Sequence, residues 1–167
     1  LLVGVVWTGI VLGLYVNWEL PRSHPLRRFV RGGVVPNKYA AALYRRAKIG
    51  LNLYRRSKGF GPDAPRIDHA DSLNPRALEL AACGVFTLSD YRAEVAEVFD
   101  WRVPTFKNAM ALELKVRYFL AHPEERAVIA AELPECAEGR TFDAMAAQVV
   151  ADMARGSGSP AMQEVAG

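Results

Sequence analysis

Twenty residues, Asp71 to Asp90 (DSLNPRALELAACGVFTLSD), carry the side chains whose types and spacing suit chemistry. Arg76 and Glu79 lie three residues apart near the start of a predicted helix. They share the first turns, whose free amides favour an anion. Ser72 or Asn74 can cap that helix, and Pro75 suits its first turn. Leu78, Ala81 and Ala82 fall at spacings that share one helical face. Gly84 fits the left-handed position that stops a helix, and Val85, Phe86 and Leu88 predict the strand that follows. A polar loop feeding a helix beside a strand is how α/β proteins hold nucleotide-like ligands.

The rest of the chain must position this stretch. Its 167 residues suit one domain with one sizeable core. The apolar share of 51% and charged share of 23% are those of a globular chain, which excludes a disordered one. Cys83 and Cys136 lack metal-ligand spacing and predict reduced thiols in a cytoplasmic protein. A net charge of +3 conceals a division. Arg22 to Arg66 carries 12 lysines and arginines against the acid Asp63, whereas Ile67 to Gly167 carries 9 basic and 16 acidic residues. The basic part suits phosphates, nucleic acid, an acidic surface or plain solvent.

Residues 1–18 carry no charge, the lower limit for a membrane span. Gly4, Gly9, Gly13, Thr8 and Asn17 argue instead for a buried strand around Val11 to Val16. A charged leader and a small-residue cleavage site are missing, which argues against a secretory signal. The sequence opens on Leu1 rather than Met, as expected of a piece of a larger protein.

Pro21 to Gly33 reads as a basic loop, and Val34 and Val35 as a short strand. Asn37 is expected to cap a helix carrying Ala40, Leu43, Tyr44 and Ala47. Ile49 to Tyr54 reads as a buried strand, and residues 55–70 as a long loop of the functional kind. Ala93 to Phe99 predicts a helix and Val103 to Phe106 a strand. Asn108 caps the next helix, His122-Pro123 breaks it, and another runs toward Gly139. Thr141 caps a last helix with Phe142, Met145, Ala146, Val149 and Met153 facing inward. Residues 156–167 read as a flexible tail. Strands alternating with helices predict an α/β fold, a mostly parallel sheet of about four strands with helices on both faces and a helical C-terminus.

NPRALELAACGVFTLSDYRAEVAEVF (74–99) resembles the donor-binding half of GT-B glycosyltransferases, in the group 1-like subset with the CgeB-type spore-maturation proteins. The similarity continues through GGVVPNKYAAALYRRAKIGLNL upstream and ELKVRYFLAHPEERAVIAAELPECAEGRTFDAMAAQVV downstream, about residues 30–153. The resemblance implies a Rossmann-like parallel sheet flanked by helices, with residues 1–155 an N-terminally incomplete domain for a nucleotide-sugar donor. It implies that Glu79 accepts hydrogen bonds from the ribose hydroxyls. Asp71, eight positions earlier, would lie near the donor sugar as the catalytic candidate. Glu is commoner than Asp there. The amides of Ser72, Leu73 and Asn74, with Arg76, would stabilise the leaving sugar diphosphate. Gly33, Val34 and Val35 match the stretch that meets the base. The implied chemistry needs no metal and no cofactor beyond the donor substrate, and it acts with an N-terminal acceptor domain on an unknown acceptor.

Plainer readings stand beside these. Arg76 and Glu79 also make an i, i+3 surface pair, and Asp71 a cap residue. His69 reads as a solvated loop histidine, and Glu94 and Glu97 as residues of an exposed helix face. Two alternatives compete with the transferase: a degenerate domain kept as an interaction module, and a basic nucleic-acid binder. No nucleic-acid motif accompanies the arginines, so nucleic acid is not the expected partner. Peripheral membrane contact stays open without a residue pattern behind it.

Overall fold

The computed structural model describes residues 2–16, 18–54, 57–58, 66–67 and 72–156. After a single 3-10 turn the chain runs through β1 (Leu14–Tyr15), β2 (Val30–Gly32), α1 (Asn37–Arg46) and β3 (Gly50–Asn52). A short antiparallel pair follows, β4 (Ser57–Lys58) with β5 (Arg66–Ile67). Then come α2 (Pro75–Ala82), β6 (Thr87–Asp90), α3 (Ala93–Val98) and β7 (Thr105–Phe106). Three helices close the described chain: α4 (Ala109–Ala121), α5 (Pro123–Ala137) and α6 (Phe142–Gly156).

The principal sheet has the order β3-β6-β7, with both pairings parallel. Parallel neighbours need a crossover, and α2 and α3 supply the two crossovers. A second parallel pair, β1 with β2, lies upstream. This is the expected α/β class, a Rossmann-like parallel sheet flanked by helices with a helical C-terminus. Among the described residues, the expected single sheet of about four strands is instead three strands plus two two-stranded pieces.

Each element has a local cause. Asn74 caps α2 by accepting from the Ala77 amide at 3.1 Å, and Pro75 occupies the first turn, where its missing N–H costs nothing. Gly84 ends the turn after α2 at φ +64°, in the left-handed region. Asn108 caps α4 through the Ala111 amide at 2.9 Å, and Thr141 caps α6 through the Ala144 amide at 3.1 Å. Pro123 separates α4 from α5, as its ring requires.

The core divides into two clusters. Phe86, Leu88 and Phe106 meet Leu112, Val116 and Phe119 of α4, together with Trp7, Leu12, Leu26 and Phe29 from the N-terminal part. Ala77 and Ala81 of α2 meet Val95, Phe99, Val103 and Leu133 of α5. The buried face of α2 is therefore Ala77, Leu80 and Ala81. Of the face expected from spacing, Ala81 is buried, Leu78 is half-buried and Ala82 is exposed.

Several boundaries differ from expectation. The strand expected at Val11 to Val16 shrinks to Leu14–Tyr15, and Val11 is 92% exposed. Gly9 turns the chain at φ +75° just before that run, and Gly13 lies within it. Exposed Val3, Val6 and Trp18 leave apolar surface there, and among the described residues no helix is long and apolar enough to cross a membrane. Val34 and Val35 are not a strand, because the pairing with β1 is made upstream, Leu14 with Val30 and Tyr15 with Gly32. Asn37 is the first helical residue behind Pro36 and makes no side-chain cap. The strand over Ile49 to Tyr54 contracts to Gly50–Asn52, and Val103 to Phe106 to Thr105–Phe106. The supposed inward face of α6 points outward: Phe142, Met145, Val149 and Met153 are all exposed, because α6 lies beyond the two clusters. Of the expected tail, the part after Gly156 lies outside the described residues.

Gly50 sets the distance between β3 and α2. A Cβ built there would stand 2.8 Å from Leu80 Cδ2 and 3.3 Å from Val85 Cγ1, and both side chains are buried. We expect Gly50→Ala to destabilise the fold by about 1–3 kcal/mol, read as a lower urea midpoint with an unchanged slope. A midpoint equal to wild type would contradict this packing.

Candidate functional site

The carboxyl ends of parallel strands are where α/β sheets place ligands. Here that edge is made by the exits of β3 and β6 and the entry to α2. Asn52 and Ser89 stand opposite each other in the register, and Asn52 Nδ2 donates to Ser89 Oγ at 3.0 Å. Both are fully buried. Ser89 Oγ in turn donates to the Asp90 carbonyl at 3.0 Å. Two polar side chains inside short apolar strands thus meet across the sheet through the Asn52 amide nitrogen, while Asn52 Oδ1 is left without a hydrogen-bond partner.

Just past β3, the Tyr54 hydroxyl accepts from the Asn74 amide at 3.3 Å, which ties the strand exit to the cap of α2. Burial pushes this hydroxyl above its ordinary pKa, against the pull of the Asn74 amide, Asn52 and the Arg92 charge. The Arg92 guanidinium, in the turn after β6, lies 4.5 Å from the Tyr54 ring centroid. Glu94 in the first turn of α3 accepts from the Leu73 amide at 2.5 Å. Asn52, Tyr54, Ser89, Arg92 and Glu94 thus form a polar cluster around the loop that enters α2.

The sequence-derived candidates are only partly gathered here. Asn74 is at the cluster as the α2 cap. The Leu73 and Asn74 amides, expected to face a diphosphate, are bonded to Glu94 and Tyr54. Ser72 and Arg76 are exposed beside them. Glu79 is exposed one turn further along α2, and Tyr44 of α1 donates to its Oε2 at 3.4 Å. Gly33, Val34 and Val35 form the connection from β2 into the start of α1, whereas the Tyr44 that meets Glu79 lies near the other end of that helix. Asp71 and His69 lie outside the described residues. Among the described residues no group of three or more His, Cys, Asp or Glu side chains could hold a metal ion.

Composition did not reveal the cluster. Glu94, expected on an exposed face, is half-buried and bonded. The signal that existed was Asn52 within IGLNLY and Ser89 within FTLSD, polar residues at positions that an apolar strand would otherwise fill. Two shallow concavities lie away from this edge. One is bounded by Arg45, Gly84, Phe86, Pro123 and Arg126, at the amino end of β6, and the other by Arg22, His24, Arg27 and Arg28.

Removing the Glu94 carboxylate should loosen the α2 entry. In Glu94→Ala the Leu73 amide is expected to exchange with solvent about tenfold faster, because a hydrogen bond to a charged group contributes about 1.5–3 kcal/mol. Hydrogen exchange resolved at Leu73 checks this, and an unchanged rate would show that the bond does not hold the loop.

A family described as glycosyl transferase-like matches residues 2–149. The spore protein CgeB of Bacillus subtilis (strain 168) is 32% identical over 119 residues. That similarity covers 70% of this chain and 36% of the relative, so the chain spans about a third of that protein's length. No solved structure gives a significant match. With that family match running through β1 and into α6, the chain belongs to the glycosyl transferase-like family.

Proposed function

We propose that the chain is the nucleotide-sugar donor-binding half of a GT-B glycosyltransferase. The observation that carries this is the placement of Asn74-capped α2 at the carboxyl edge of β3 and β6, inside a chain of this family. Glu79 accepts from the two ribose hydroxyls, in place of the 3.4 Å contact from Tyr44. Gly33, Val34 and Val35 meet the base. Arg76, with the amides of Ser72, Leu73 and Asn74, answers the diphosphate as charge grows on the leaving group. The incoming phosphates compete with Glu94 and Tyr54 for two of those amides. Asp71 acts near the sugar.

In this reading guanidinium and amide groups stabilise the leaving diphosphate, and no metal or further cofactor is required. The acceptor is bound by an N-terminal domain of the parent protein, so transfer belongs to that two-domain protein and not to this segment alone. The free thiols Cys83 and Cys136 support a cytoplasmic location, and this reading expects no nucleic-acid partner.

One observation favours a second reading, an interaction module that has lost transfer: the Leu73 and Asn74 amides are already bonded within the protein. Calorimetric titration of UDP, GDP and ADP separates the two. The donor reading expects saturable binding of one of them and a loss of more than tenfold in Glu79→Ala, where two charge-assisted bonds disappear. Arg76→Ala should weaken the diphosphate more than the nucleoside. Equal affinity in wild type and Glu79→Ala would remove Glu79 from the site. Binding of none of the nucleotides would favour the interaction module.

A further inference from the structure

Among the described residues, two buried side-chain polar atoms have no hydrogen-bond partner: Asn52 Oδ1 and Arg92 Nε. Both belong to the carboxyl edge of the principal sheet, Asn52 at the end of β3 and Arg92 in the turn after β6. Unmatched buried donors and acceptors are rare in folded proteins, and a shared location asks for a shared cause. Asn52 is fully buried, so solvent does not reach its oxygen.

Arg92 is held rather than loose. Its Nη1 donates to the neighbouring Tyr91 carbonyl at 3.0 Å, and its plane rests against the Tyr54 ring. Tyr54 in turn accepts from the Asn74 amide, so the guanidinium stands beside the loop that enters α2. Asp90 and Glu94 lie two residues to either side of Arg92; Glu94 spends Oε2 on the Leu73 amide, and none of the ion pairs among the described residues uses Arg92. What remains is a cation held in place, with a buried Nε–H that finds no acceptor and no ion pair among these groups. A planar guanidinium in that state matches an oxyanion bearing several oxygens.

We propose that Arg92 binds the diphosphate of a nucleoside diphosphate ligand, from the β6–α3 turn. This rests on the donor-site reading and adds to it a residue from a different element. Glu94 faces the same space, so the diphosphate enters with its charge directed to the Arg92 side of the Leu73 amide.

The test is calorimetry on the full chain with UDP, GDP and ADP, their nucleosides and inorganic pyrophosphate. Arg92→Ala is expected to weaken the bound diphosphate, and pyrophosphate with it, by about tenfold or more. It should leave the matching nucleoside within about twofold. Arg92→Gln keeps the bulk and a flat group against Tyr54 while removing the charge. It should show the same selective loss, and it decides the matter if Arg92→Ala fails to fold. Equal losses for nucleoside and diphosphate, or no loss for either, would overturn the role of Arg92 and leave the donor reading standing. Wild-type protein that binds none of the diphosphates would overturn both.

Discussion

Parallel pairing of β3 with β6 is the constraint on which the other features depend. Two parallel strands have their carboxyl ends on the same edge, and the chain can return only by a crossover. Here α2 makes that crossover, so its capped start is brought back to the edge at which β3 and β6 end. Close contact keeps it there: Gly50 presents no side chain, and Leu80 occupies the space a Cβ would take. On its other side α2 packs Ala77 and Ala81 toward the fully buried Leu133 of α5. Small residues on α2 let the two helices approach, so the position of the α2 start is set by packing on both faces.

This backbone arrangement explains why the polar groups cluster where they do. Register places Asn52 opposite Ser89, and a slip of one residue would send both to the other face. Past the strands, Tyr54 and Glu94 tie down the two amides that lead into α2. A ligand at this edge meets a loop already ordered by its own protein, which lowers the entropic cost of binding but makes the ligand displace existing partners.

Much of this was legible in the residues, where the signal was local. Asn74, Pro75 and Gly84 mark α2 because caps, first-turn proline and left-handed glycine act over four residues or fewer. Asn108, Thr141 and Pro123 succeed for the same reason. The α/β class was legible from the alternation of elements. What escaped is nonlocal. No spacing tells that Asn52 pairs with Ser89, 37 residues away, or that Glu94 turns back to Leu73. The apolar stripe of α6 was read correctly as a stripe, but periodicity does not say what covers it, and nothing in the two core clusters does. Val34 and Val35 are β-formers that lie outside a strand, because pairing ends at Gly32.

The central claim is that the carboxyl edge around α2 binds a nucleoside diphosphate. The most direct measurement is a map of backbone amide chemical shifts during titration with UDP, GDP and ADP. The account predicts that the largest changes fall on Leu73, Asn74, Arg76, Glu79 and Tyr91 to Glu94, with smaller ones at Gly33 to Val35. Changes confined to Arg22 to Arg28, or to the concavity at Arg45 and Arg126, would contradict it and move the anion site to the basic surface.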